Sequence, residues 1–170
     1  MWKQISRKFS LPFLIIFSIL IGLSGWYEIY QHFFSERGIV RLNWHVDIEQ
    51  PTYSKIILDE TAPLSVDGPV YTQYTYNKKT IKKLKKKKYW TKVSNNNITN
   101  LNQRVTEYNN LILKYPVHSM KSRQNLLKNP VVINDNCYYY VKRDKEKQDQ
   151  YAIFILNPSE KKLYLLEYYF

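Results

Sequence analysis

Residues 78–92, KKTIKKLKKKKYWTK, hold nine lysines, with Tyr89 and Trp90 set among the last of them. Ammonium groups crowded onto one short segment draw phosphates and other anions, and the two rings suit a lipid interface or a stacked base. The candidate set for binding a membrane surface or a polyanion is Lys78, Lys79, Lys82, Lys83, Lys85, Lys86, Lys87, Lys88 and Trp90. A plainer reading stands beside it. The lysines are then the solvent face of a short helix, and Trp90 closes that helix against a sheet. The two readings are compatible. Lysine steers anions as a flexible point charge, whereas arginine dominates specific phosphate clamps.

A second pattern is His45-x-Asp47-x-Glu49. On a strand, alternate positions share a face, so these three groups would form one polar row. A metal ion could use such a row; a solvated strand face explains it equally well. The other histidines, His32 and His118, are far away in sequence, and Asp59, Glu60 and Asp67 sit near turns, where capping and solubility account for them. An enzyme would need the fold to gather His45, Asp47, Asp67 and His118 into one pocket. No G-x-S-x-G, H-E-x-x-H, Walker loop or dinucleotide fingerprint occurs. Cys137 is the only cysteine, which excludes an intramolecular disulfide and a cysteine metal site. It reads as a buried small hydrophobe. The residues imply no cofactor and no catalytic set.

The elements that must position these groups follow from hydrophobic pattern. Between Lys8 and Glu28 the chain carries no charge, with Lys3, Arg7 and Lys8 before that run and Trp26 and Tyr27 at its far end. Its length predicts a transmembrane helix, and the basic flank predicts a cytoplasmic N-terminus. A cleaved signal peptide and a helix buried in a core are the rival readings. The helix is expected to continue over 28–38 and stop at Gly38. Leu42, Trp44 and Val46 alternate like a short linker strand. Strands are predicted over 53–58 and 70–76, the second with Val70, Thr72, Tyr74 and Tyr76 on one face. Helices are predicted over 78–88, 99–114 and 119–128. Three aromatic or apolar runs at 137–143, 151–156 and 163–169, joined by short connections, predict an antiparallel meander.

Residues 1–38 therefore read as a membrane anchor and its flank, and 40–170 as one extracytoplasmic domain of α+β class. In that domain a C-terminal antiparallel β-meander packs against one or two helices. Sixteen tyrosines and four glycines argue against disorder. The net charge is +12, of which about +10 falls from Val40 onward. A cationic domain beside a membrane suggests anionic lipid, an acidic envelope polymer or an acidic protein as partner. A composition rich in Lys, Asn, Ile and Tyr explains the charge without any partner.

Asp67-Gly68 before Tyr71 and Tyr74, Tyr89-Trp90 after a short helix, Tyr138-Tyr139-Tyr140 before Arg143-Asp144, and the runs 151–156 and 163–169 form a loose aromatic pattern. Over residues 60–170 it resembles a group of small, mostly uncharacterised bacterial proteins that have a lipoprotein signal or membrane helix and one compact α+β domain. The chain departs from that pattern at Asn136, where glycine is expected, and at Arg143-Asp144, where the order is usually reversed. The resemblance implies a location and a fold, and no reaction. The expectation is a single-pass, membrane-anchored accessory or binding protein of the bacterial cell envelope with a basic surface. The alternatives are an envelope-associated enzyme with a fold-assembled polar site, or a polyanion- or DNA-binding module. Nucleic acid is disfavoured for a domain outside the cell, and a protein partner is left open.

Overall fold

The computed structural model describes residues 2–30, 34–60, 68–114, 120–144 and 150–169; in the first helix, side chains are described from Ile16 onward. The chain divides into two compact units, Met1–Gln50 and Pro51–Phe170.

The first unit holds helix α1 (Trp2–Ile29) and helix α2 (Glu36–Trp44). Ser35 starts α2 by accepting the Gly38 N–H on its hydroxyl at 3.0 Å. Glu36 sits in the first turn, where a carboxylate suits the helix dipole. Gly38 is thus buried inside α2 and does not stop a longer helix. The expected linker strand is also replaced, because Leu42 and Trp44 belong to α2. Val40 and Trp44, four apart, form its buried stripe. His45 ends the helix in the left-handed region (φ 55°), its N–H donating to the Arg41 carbonyl.

The membrane reading needs correction. A helix forms where the sequence placed one, but among the described residues no helix is long and apolar enough to cross a membrane. The described side chains of α1 do not form an unbroken apolar surface. Ser18, Gly22, Ser24, Gly25 and Glu28 punctuate it. The transmembrane helix, the signal-anchor, the single-pass cell-membrane location and the membrane as a partner through that helix are therefore not supported.

The second unit is built on one antiparallel sheet with strand order β1-β2-β6-β5-β4-β3. The strands are β1 (Tyr53–Asp59), β2 (Gly68–Thr75), β3 (Thr91–Lys92), β4 (Tyr138–Arg143), β5 (Tyr151–Asn157) and β6 (Lys162–Tyr169). The C-terminal antiparallel arrangement expected from the sequence is present, packed against helices. Asn157 turns β5 into β6, its Oδ1 accepting the N–H groups of Ser159 (3.1 Å) and Glu160 (3.2 Å). Strand β6 is also paired along its whole length with β2, from Gly68↔Tyr169 to Thr75↔Lys162. Strands β5 and β6 are buried on both faces, which explains their unbroken apolar runs.

One face of the sheet carries helix α4 (Ile98–Lys114) and helix α5 (Met120–Lys128). Leu101, Val105, Tyr108 and Ile112 follow helical spacing and meet Ile153, Ile155, Tyr164 and Leu166 from the central strands. Each fully buried side chain of this kind contributes on the order of 1.5–3 kcal/mol. Tyr108 donates its hydroxyl to the Val70 carbonyl at 2.8 Å. The register of β1 against β2 shifts between Ile56 and Leu58, and both Ile57 and Leu58 reach the core there. Phe154, by alternation, points to the other face and meets Tyr140 (6.2 Å between centroids), which in turn meets Tyr89 (5.2 Å). The lysine-bearing helix α3 (Lys78–Leu84) precedes Tyr89 in the chain.

Candidate functional site

Helix α3 is short because its own chemistry barely supports it. Asn77 caps it, the side-chain oxygen accepting the Thr80 N–H at 2.9 Å and the Thr80 hydroxyl at 3.1 Å. No acid stands in its first turn, and Lys78 and Lys79 there oppose the helix dipole. Only Ile81 and Leu84 are buried. The helix ends at Leu84 rather than running on to Lys88. Beyond it, the Trp90 indole N–H donates to the Leu84 carbonyl at 2.8 Å, and the half-buried Trp90 ring lies 4.9 Å from Tyr89. The Lys85 ammonium sits over the Tyr138 ring at 5.2 Å.

The structure keeps the candidate lysines on one short segment and exposes them. Lys78, Lys79, Lys82, Lys83, Lys85, Lys86 and Lys88 are exposed; Lys87 is half-buried. Among the described residues no carboxylate pairs with Lys78, Lys79, Lys82, Lys83, Lys86 or Lys88. Between residues 68 and 106 the chain contains no Asp or Glu at all. The lysines therefore have no acidic neighbour along this stretch of the chain. Trp90 differs from the lysines, because its one polar group is spent inside the fold.

The polar row at His45, Asp47 and Glu49 does not form. His45 is a helix cap, and residues 45–50 are not a strand. Asp47 is held by Arg37, whose Nη2 and Nε approach its Oδ1 at 2.7 and 2.8 Å. Among the described residues no group of three or more His, Cys, Asp and Glu side chains is placed to hold a metal ion. Asp67 and His118, the other members of the fold-assembled enzyme site, and His32 lie outside the described residues. Cys137 is buried, as expected for a small hydrophobe, and its thiol is pushed up by desolvation.

Sequence reasoning missed a cavity of about 400 Å³ between the flank of α4 and strands β4 and β5. Val141 and Ile153, cross-strand partners, form its floor with Leu111 from α4. Arg143 and Tyr151, the next pair on the same face, bring a guanidinium and a phenol to its side. Arg104 and Glu107 line it from the helix, three residues apart. The Arg104 Nε donates to Asn100 Oδ1 at 2.9 Å, and Glu107 accepts the Gln103 amide at 2.9 Å. Tyr151 is half-buried and stacks on Tyr168 at 5.7 Å. Its hydroxyl is pushed up to about 12, chiefly by desolvation, with Tyr168 and Glu107 adding and Arg143 and Arg104 opposing. The only sequence signal for this site was the periodicity of α4, which places residues 104, 107 and 111 beside the core stripe.

No family model, curated protein or solved structure matches the chain. The resemblance to small bacterial proteins with a lipoprotein signal or membrane helix is corrected by that result and by the absence of a membrane-crossing helix among the described residues. Its aromatic positions have a structural explanation instead, since Tyr71, Tyr74 and Tyr164 are buried in and against the sheet. The membrane-anchored envelope function expected from the resemblance is therefore not supported.

Proposed function

We propose that the second unit binds a linear polyanion through the lysine face of α3 and the turn that follows it. The observation that carries this reading is a run of exposed ammonium groups, without carboxylate partners among the described residues, on a helix and the turn after it that gain little stability from them. A purely structural helix of seven residues would be better served by acids in its first turn. Lys78, Lys79, Lys82, Lys83, Lys86 and Lys88 make the contact; Asn77 and Trp90 hold the two ends of the segment in place. Binding of this kind is driven by release of the polymer's condensed counterions and is insensitive to its sequence.

The test is fluorescence anisotropy with labelled heparin and a labelled single-stranded oligonucleotide across a salt series. Six phosphate contacts predict a log–log salt slope of about −4 on single strands. Changing Lys79, Lys82, Lys83 and Lys86 together to Gln is expected to flatten that slope by about 3 and to weaken binding at least about tenfold at low salt. Affinity that is unchanged in the quadruple variant, or independent of salt, refutes the reading. A preference for heparin over the oligonucleotide, or the reverse, separates a sulfated partner from a nucleic acid.

A further inference from the structure

We infer that the cavity between α4 and the β4–β5 pair is a binding site for a small monocarboxylate with an apolar body. Its volume, about 400 Å³, lies in the range of small-molecule pockets. Its floor is apolar, supplied by Val141, Ile153 and Leu111. Its polar lining is the guanidinium groups of Arg104 and Arg143, the hydroxyl of Tyr151, the amide of Asn110 and the carboxylate of Glu107, so that Glu107 is its one anionic group. Among the described residues neither arginine has a carboxylate partner. Arg104 is held through its Nε to Asn100, which leaves both terminal nitrogens available for the two-point geometry that suits a carboxylate.

The charge of the lining selects among anions. Two arginines against Glu107 leave one net positive charge. A monoanion neutralises it, whereas a dianionic phosphate ester adds repulsion from Glu107. An uncharged alcohol of the same shape would leave the guanidinium groups without their anion. The apolar body of the ligand lies on Val141 and Ile153, and its carboxylate meets Arg143 and Arg104. This site is separate from the lysine face, and neither proposal depends on the other.

Calorimetric titration of the full chain with 4-phenylbutanoate, 4-phenylbutan-1-ol and 4-phenylbutyl phosphate tests the assignment. The carboxylate is expected to bind saturably, at least about tenfold more tightly than the alcohol, and at least as tightly as the phosphate. Arg143→Gln, an exposed position whose loss leaves the core intact, is expected to weaken the carboxylate about tenfold or more and to leave the alcohol unchanged. Lys83→Gln, on the lysine face, is expected to change neither. Equal binding of alcohol and carboxylate, tighter binding of the phosphate, an unaffected Arg143→Gln protein, or no saturable carboxylate binding in the millimolar range each overturns the proposal. Loss of carboxylate binding in Lys83→Gln assigns the anion to the lysine face and overturns it too.

Discussion

Trp90 sits inside the lysine segment, and its side chain does two things at once. The indole N–H gives the carbonyl of Leu84, at the end of α3, a second donor beside the backbone N–H of Lys87 (3.0 Å). The ring meanwhile joins Tyr89, which leads on to Tyr140 and Phe154 in the sheet. On the proposed reading, a residue committed in this way holds the lysines in place and leaves the polyanion contact to them. Replacing it with Phe keeps an aromatic ring and removes the hydrogen bond. The expected result is a loss of ~1 kcal/mol in urea unfolding, with heparin affinity unchanged once the protein is folded. A large drop in affinity at unchanged stability would instead make the indole part of the contact surface.

Helix α3 depends on its cap more than a longer helix would. Seven residues are too few to be stable through propensity alone, and Lys78 and Lys79 repel the positive end of the helix. Asn77→Ala is therefore expected to cost ~1 kcal/mol. Asn77→Asp is expected to hold or raise stability, since it keeps the cap and adds a negative charge beside the lysines; denaturant unfolding of both variants decides. Much at this scale was legible in the sequence. Strand β2 showed in the alternation of Val70, Thr72, Tyr74 and Tyr76, and β4 to β6 showed as aromatic runs with an Asn157-Pro158 turn. What misled the reading was local ambiguity. Leu42, Trp44 and Val46 alternate like a strand, yet the Ser35 cap and the Val40–Trp44 spacing make α2. Gly38 resembles a stop and instead lies buried inside α2. The pairing of β6 with β2 was not legible, because it joins segments about ninety residues apart. The cavity was hidden for the same reason: Arg104 and Arg143 meet only once α4 lies on the sheet.

At the scale of the whole molecule, tyrosines buried in a mainly aliphatic core couple folding to pH. Tyr71, Tyr108 and Tyr164 are fully buried, and burial holds each hydroxyl well above the usual phenol value. Glu160, which accepts the Tyr164 hydroxyl at 2.6 Å, raises that group further. Below pH ~10 folded and unfolded chains both keep these protons, so stability does not depend on them. Above it the unfolded chain releases protons that the folded chain retains, and the equilibrium moves toward unfolding. Each buried tyrosine withdraws up to ~1.4 kcal/mol per pH unit until its folded value is reached. Three acting together withdraw about 4 kcal/mol per unit, against a typical domain stability of about 5–15 kcal/mol. In an alkaline titration the buried tyrosines are expected to ionise only as the circular dichroism of the fold is lost, above pH ~10. Tyrosinate absorbance that completes in one phase near pH 10 while the dichroism stays intact would show that the tyrosine core is open to solvent, contrary to its packing here.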